Sequence, residues 1–322
     1  MLDRAEIERL VRGAGYDAET RLAVGVSLPS GPPVHVAQGE GPNATPFDAE
    51  SVAYTGSLAK QVTGACAVVL ARDGRLDVDA PIAEWLPELP SWSRQVRIRH
   101  LIHHTAGLPA TETVWAQMQR AGECDWTSAG VVAALSMMPE LEHEPGRVYA
   151  YSSVGYVCLG RIVERSSGRG LDDLARALLF EPLGMGSTRF WSGPEPCPPN
   201  AAALPQSLQP APLSVGDGGL WTSVHDLLLW NAGLLGDALG ISDTLHARGS
   251  LDDGSPLDYA WGVRVYRAGG LTVQSHGGSW NGATAKLVRL PDRRASFAAL
   301  ALDSSVERMI ALSSALQDEL QS

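Results

Sequence analysis

Lysine is almost absent from this chain: only Lys60 and Lys286 are lysines, and arginine supplies the rest of the 25 basic residues. No basic run occurs, and 36 acidic residues leave a net charge of −11, which argues against a nucleic-acid partner. No apolar stretch reaches the length of a membrane-spanning helix, so no membrane partner is expected. The opening Met1-Leu2-Asp3-Arg4-Ala5-Glu6 is too acidic and too polar for an export signal, which makes the cytoplasm the expected location. The four cysteines, Cys66, Cys124, Cys158 and Cys197, stand far apart with no Cys-x-x-Cys and no histidine at zinc-ligand spacing. A disulfide framework and a metal site are therefore not expected; Cys66 and Cys158 sit in apolar helical patterns and read as core. No repeat of solenoid period is found, and oligomeric state is not legible.

What is present is a chain of 322 residues, long enough for one large core or two interlocked ones, with 34 glycines and 21 prolines marking many turns. Ile7, Leu10 and Val11 give residues 3–13 one apolar face, an opening amphipathic helix. Strand patterns follow at Leu22–Leu28 and Pro33–Ala37, then a helical run from Ser57 to Ala71 closed by Asp73-Gly74. The middle is mostly helical, with blocks at Ser128–Met138, Gly155–Ser166 and Leu171–Leu179, followed by a proline-rich irregular connection from Pro194 to Pro212. A capped helix is expected at Ser223–Leu235, strands at Tyr259–Tyr266, Leu271–Ser275, Ala283–Leu290 and Ser296–Leu302, and a last helix at about 305–320. Strands, then helices, then strands imply an α+β fold, with a mainly antiparallel sheet flanked by helices. The sheet domain is expected from residues 1–75 and 215–322, with residues 76–214 as an inserted all-α domain.

Three segments carry chemistry. In Ser57-Leu58-Ala59-Lys60 a hydroxyl and an amine stand three apart at a helix start, on one face and within mutual reach. A serine hydroxyl needs an adjacent base to attack; an amine held unprotonated can be one, and a helix N-terminus offers N–H groups to a developing oxyanion. The scarcity of lysine sharpens this, because arginine does not give up its proton and could not replace Lys60 as a base. Tyr149-Ala150-Tyr151-Ser152-Ser153 precedes a second helical run and offers a phenol for proton transfer. Ser275-His276-Gly277-Gly278-Ser279-Trp280 follows a short strand, where glycines permit close approach to a ligand. His103-His104 and His225 read as structural, and Trp115, Trp191, Trp221 and Trp280 as walls of a cleft or as packing.

Together these segments resemble the serine β-lactamase and penicillin-binding-protein superfamily, specifically its class C β-lactamase-like branch of esterases, peptidases and acyltransferases. The landmarks between them fit as well: His103-His104-Thr105-Ala106-Gly107-Leu108-Pro109, Glu144-Pro145-Gly146, Pro182-Leu183-Gly184-Met185 and Gly218-Gly219-Leu220-Trp221. The resemblance implies a cleft between a sheet domain and a helical domain. It implies Ser57 as nucleophile, Lys60 as its base and Tyr151 as the acid assisting the leaving group. The oxyanion would be held by the backbone N–H groups of Ser57 and Ser279. Ser153, His276, Gly277, Gly278 and Trp280 would contact substrate, and no cofactor or metal is required. Two departures stand out: Ser153 replaces the asparagine of the Tyr-x-Asn element, and His276 replaces the lysine of the Lys-Thr-Gly element. Both weaken the case for a β-lactamase or D-amino-acid peptidase, which would need to hold a substrate carboxylate. The expected partner is a small ester or amide, with water as acceptor in a hydrolase. An acyltransferase or amide synthase would use an amine or alcohol instead. A catalytically silent binding protein is the alternative of another class, opposed by the presence of both Ser57 and Lys60.

Overall fold

The structure, a computed structural model, describes residues 2–41, 45–123, 125–204 and 208–322, so Cys124 lies outside the described residues. From the N-terminus come α1 (Arg4–Gly13), the strands β1 (Leu22–Ser27) and β2 (Val34–Gln38), the short β3 (Ala53–Tyr54), a 3₁₀ turn (Gly56–Leu58) and α2 (Ala59–Arg72). The helical middle holds α3 (Ile98–Ile102), α4 (Thr111–Arg120), α5 (Ser128–Ser136), α6 (Ser153–Ser167), α7 (Leu171–Ala175) and α8 (Glu181–Leu183). Next are β4 (Arg189–Phe190), β5 (Leu220–Thr222), α9 (Val224–Leu235) and α10 (Ser242–Leu245). The chain closes with β6 (Arg264–Ala268), β7 (Leu271–Trp280), β8 (Ala283–Leu290), β9 (Ala295–Ala301) and α11 (Val306–Gln321).

Six strands form one antiparallel sheet in the order β2-β1-β9-β8-β7-β6, so strands from both ends of the chain meet at the β1–β9 pair. Period-2 alternation loads both faces of this sheet. Phe297, Ala299 and Ala301 of β9 and Val288 and Leu290 of β8 pack against α1 and α11. Ala298, Leu300, Ala285 and Leu287 point the other way, into the larger core with α2, α6 and α9. α2 is buried from Ala59 to Leu70, which explains its apolar residues on every side. Helix starts follow their caps: the side chains of Asp3, Thr127, Ser152, Ser223 and Ser305 each accept a backbone N–H of the first turn.

The structure corrects several expected boundaries. The run Tyr259–Tyr266 becomes strand only at Arg264, because Ala260 N–H bonds to Val263 O in a tight turn through Gly262 (φ +84°). Tyr259, Ala260 and Trp261 are instead a buried loop under α2. β7 runs five residues past Ser275, since Gly277 and Gly278 stay in the ladder opposite Lys286 and Ala285. The helix expected at Leu171–Leu179 is interrupted by a wider π turn at Arg176–Phe180. A second, three-stranded sheet, β3-β5-β4, is built from runs too short to show a period in sequence.

Candidate active site

Ser57 sits in the 3₁₀ turn that opens α2, and Lys60 lies one turn on, with 0% exposure. Lys60 Nζ is 2.9 Å from Ser57 Oγ, 3.3 Å from Ser153 Oγ and 2.8 Å from the backbone oxygen of Asp217. An unprotonated amine has two N–H groups and one lone pair. In that form the two N–H groups can go to the Asp217 carbonyl, which only accepts, and to Ser153 Oγ, and the lone pair can take the proton of the Ser57 hydroxyl. Nζ also stands 5.1 Å from the centre of the Tyr151 ring and 5.8 Å from that of Tyr156. Rings at that range stabilise a positive charge when one forms.

Glycine makes the next part of the geometry possible. A side chain at Gly278 would place its Cβ 1.9 Å from Thr55 O and 3.0 Å from Ser57 N, and one at Gly56 (φ +53°) would stand 2.9 Å from Ser279 N. Only glycine at both positions lets β7 press against the turn that carries Ser57, and this places the amides of Ser57 and Ser279 as neighbours. Two amides beside a hydroxyl are the donor set an oxyanion needs.

β6 pairs with β7 only from Leu271 to Ser275, so the β7 edge from His276 to Trp280 is left without a ladder partner on that side. Cavities of about 390 Å³ open on either side of Ser57 at this edge. One is walled by Trp115, Trp126, Trp280 and Pro212 and reaches Ser153. The other runs from Tyr151 along β7 to Lys286 and the start of α11.

His276 is 6% exposed and both its ring nitrogens are engaged: Nδ1 with Gly277 O at 2.6 Å, Nε2 with the Tyr259 hydroxyl at 3.0 Å. Because a carbonyl can only accept, Nδ1 carries the proton and Nε2 accepts from Tyr259. Burial, reinforced by the nearby Lys60, pushes His276 down to about 3, so it is neutral at ordinary pH.

Two residues escaped the sequence reading. His104, placed above among structural residues, lies in the left-handed region (φ 58°) and its ring sits 4.3 Å from that of Tyr151. Its Nδ1 accepts the Ser152 N–H and its backbone oxygen accepts the Ala150 N–H, so it holds the chain on both sides of Tyr151. Burial drives His104 far below the ordinary histidine range. Its position beside a second histidine, in a run of ordinary loop residues, carried only a family-landmark signal. Tyr259, buried and raised well above the ordinary tyrosine range by burial, gave no signal at all. Of the four tryptophans named above, Trp115 and Trp280 wall the cleft. Trp221 does not: it is 1% exposed on β5 and packs on Tyr54, and Trp191 donates to Glu195 O away from Ser57. Among the described residues no histidine, cysteine and carboxylate group could hold a metal, and no helix is long and apolar enough to cross a membrane.

Comparison with known proteins accords with this arrangement. Residues 20–311 match the family model described as Beta-lactamase. Penicillin-binding protein 4* of Bacillus subtilis is 26% identical over 280 residues, covering 77% of this chain and 60% of that protein. A putative D-alanyl-D-alanine carboxypeptidase of Salmonella agona is 27% identical over 190 residues, 54% of this chain and 44% of that one. The chain thus spans about half the length of the curated relatives it matches. An octameric penicillin-binding protein homologue from Pyrococcus abyssi superposes with a TM-score of 0.80 at 21% identity, over 99% of this chain and 78% of that one. The D-amino acid amidase of Ochrobactrum anthropi SV3 does so with 0.78 at 20%, over 98% and 99%. The fold these neighbours share and the family match across most of the sequence lead to one assignment: the chain belongs to the beta-lactamase family, within the serine hydrolase superfamily.

Proposed function

We propose that this protein hydrolyses a carboxylic ester or amide through an acyl-enzyme on Ser57. The observation that carries this is the buried Lys60 amine 2.9 Å from Ser57 Oγ, held there by Asp217 O and Ser153 Oγ. In the first step Ser57 Oγ bonds to the substrate carbonyl carbon and its proton passes to Lys60. The carbonyl oxygen becomes an oxyanion between the amides of Ser57 and Ser279. The resulting ammonium faces the Tyr151 and Tyr156 rings. Collapse breaks the bond to the leaving group, which takes a proton from the Tyr151 side. Lys60 then passes its extra proton to the Tyr151 phenolate; water attacks the acyl carbon, its proton going to the Lys60 amine, and Ser57 Oγ takes that proton back as it leaves the released acid.

Tyr151 lines only the cavity on the Lys286 side, and Ser153 only the one walled by tryptophans. The leaving group therefore occupies the first and the acyl group the second. His276, neutral and tied to Tyr259, supplies no charge for substrate.

The test is labelling by a fluorophosphonate and turnover of p-nitrophenyl acyl esters, followed by intact mass. A single adduct on Ser57, lost in Ser57→Ala, is expected. No adduct and no turnover with any acyl chain overturns the proposal. Decay of the adduct in water, compared with decay in added amines or alcohols, distinguishes a hydrolase from an acyltransferase.

A further inference from the structure

The two cavities beside Ser57 carry opposite charge. The tryptophan-walled arm is lined by two carboxylates, Glu112 and Asp217, and by no basic side chain among the described residues. Asp217 is mostly buried and accepts the Ser214 hydroxyl at 2.7 Å, whereas Glu112 stands exposed on α4 at the rim. The adjoining hollow behind Trp115 and Trp126 adds Asp125 and, among the described residues, no basic group. The opposite arm is lined by Arg264 and Lys286 and, among the described residues, by no carboxylate.

Strand register explains why these two cations meet. Residues directly opposite in an antiparallel pair share a face. Arg264 stands opposite Ser275, and Lys286 opposite Gly277, two residues further along β7, so both cations rise on the same face. That face carries Val273 and Val288 and looks toward α11, while His276 points to the other. A Cβ on Gly277 would lie 3.9 Å from Lys286 Cδ, so the lysine runs over the glycine along the open β7 edge. Arg264 depresses Lys286 further below the ordinary lysine range, after burial itself. Neither cation is in an ion pair with a carboxylate of the described residues. Two like charges held together in a cleft without a counterion favour an anionic ligand.

We propose that the substrate is a short amide bearing charge at both ends, a free ammonium on the acyl side and a free carboxylate on the leaving-group side, as in an unblocked dipeptide. The inference rests on the acyl-enzyme reading above. The ammonium is received among Trp115, Trp126 and Glu112, with rings 5.6 Å apart that also accept an apolar side chain. The carboxylate is received by Lys286 and Arg264, and the leaving residue's side chain by Val306 and Ile310, which are 41% and 60% exposed at the start of α11. The chemistry is plain hydrolysis: the C–N bond breaks, the leaving nitrogen gains a proton and departs as a free amino acid, and water supplies the hydroxyl that releases the acyl half from Ser57.

The experiment compares four forms of phenylalanyl-leucine, in both the D,D and L,L series: unblocked, N-acetylated, C-amidated and blocked at both ends. The unblocked dipeptide is expected to exceed either singly blocked form about tenfold in kcat/KM, and the doubly blocked form about a hundredfold. Lys286→Gln should erase the preference for a free carboxylate and keep the preference for a free amine; Glu112→Gln should do the reverse. Because each preference is a ratio within one preparation, partial misfolding of a variant cancels, and the exposed Arg264→Gln serves as a second test of the carboxylate site. Equal hydrolysis of blocked and unblocked forms, ratios unmoved by Lys286→Gln and Arg264→Gln, or no turnover of any of the four by a protein whose Ser57 is labelled, overturns this inference and leaves the acyl-enzyme reading standing. Absence of Ser57 labelling overturns that reading itself.

Discussion

Lys60 and Arg289 are both sealed from solvent, at 0% and 1% exposure, and α2 serves both, through Lys60 itself and through the next residue, Gln61. Neither is bonded to a carboxylate of the described residues. Arg289 is held by Gln274, Asn231 and Gln61 at 3.0 to 3.1 Å and by His246 at 3.2 Å, four neutral acceptors that spread its charge. Lys60 has three oxygens, one of them the Ser57 hydroxyl that faces an open cavity. The Arg289 guanidinium is enclosed by groups that accept from it and hold it in place; the Lys60 amine touches a hydroxyl that can hand it a proton. Burial alone does not make a site, and the difference lies in what the charge is bonded to and whether that partner reaches substrate.

Exchanging the two side chain types breaks this contrast most severely at Lys60. Lys60→Arg puts a permanent cation where the base must offer a lone pair, and labelling of Ser57 should fall by about 10²- to 10⁴-fold, the range of a lost general base. Pseudo-first-order labelling rates check it; undiminished labelling would refute the assigned role. At Arg289 the converse holds. Arg289→Lys offers three donors to four acceptors in the wrong geometry, and stability should drop by about 2 to 4 kcal/mol as buried acceptors go unmet. Urea unfolding measures the loss, while labelling of the folded fraction should proceed at the parent rate.

Beside each of these groups a buried histidine is held neutral, which gives a pH signature. Burial, with the neighbouring cation second, lowers His276 beside Lys60 to about 3 and His246 beside Arg289 to about 3. The unfolded chain takes up these protons near the ordinary value of 6.5, the folded chain only near 3. Folding stability is thus unaffected by these groups above pH 6.5 and declines as pH falls from there toward 3. Each histidine contributes about 1.4 kcal/mol per pH unit within that window. His276→Gln and His246→Gln should each flatten the acid limb of a stability-versus-pH curve by that amount. An unchanged slope would show that the histidine is already charged in the folded protein.

The sheet and the large helices were readable because they bury long periodic faces: β8, β9, α1 and α11 fall where the alternation and the helical stripes place them. The Ser57–Lys60 pair was readable because helix geometry fixes neighbours three residues apart. Contacts made by the tertiary fold were not. The Asp217 carbonyl reaches Lys60 from 157 residues away, and a carbonyl leaves no trace in side-chain pattern. The pattern at Tyr259 predicts strand, yet the residue sits in a buried loop where its hydroxyl fixes the His276 tautomer. His104 looked structural and is so, but the structure it supports is the backbone on both sides of Tyr151.

The smallest effect is expected at Ser153, where the family's usual asparagine is replaced. Its hydroxyl is the longest of the three contacts to Lys60, at 3.3 Å, against 2.9 and 2.8 Å for Ser57 and Asp217. Deleting one weak hydrogen bond of three costs about 1 kcal/mol, so Ser153→Ala should slow acylation by less than about tenfold. Ser153→Asn adds an amide that can reach beyond the amine toward the acyl group and bond its carbonyl or side chain. That variant should leave the pH profile of labelling in place and shift KM more than kcat, since the added group binds substrate and transition state alike. If Ser153→Ala instead abolishes labelling, Lys60 depends on all three oxygens for its position. The contrast with Arg289, where four acceptors share the load, would then be sharper than the distances alone imply.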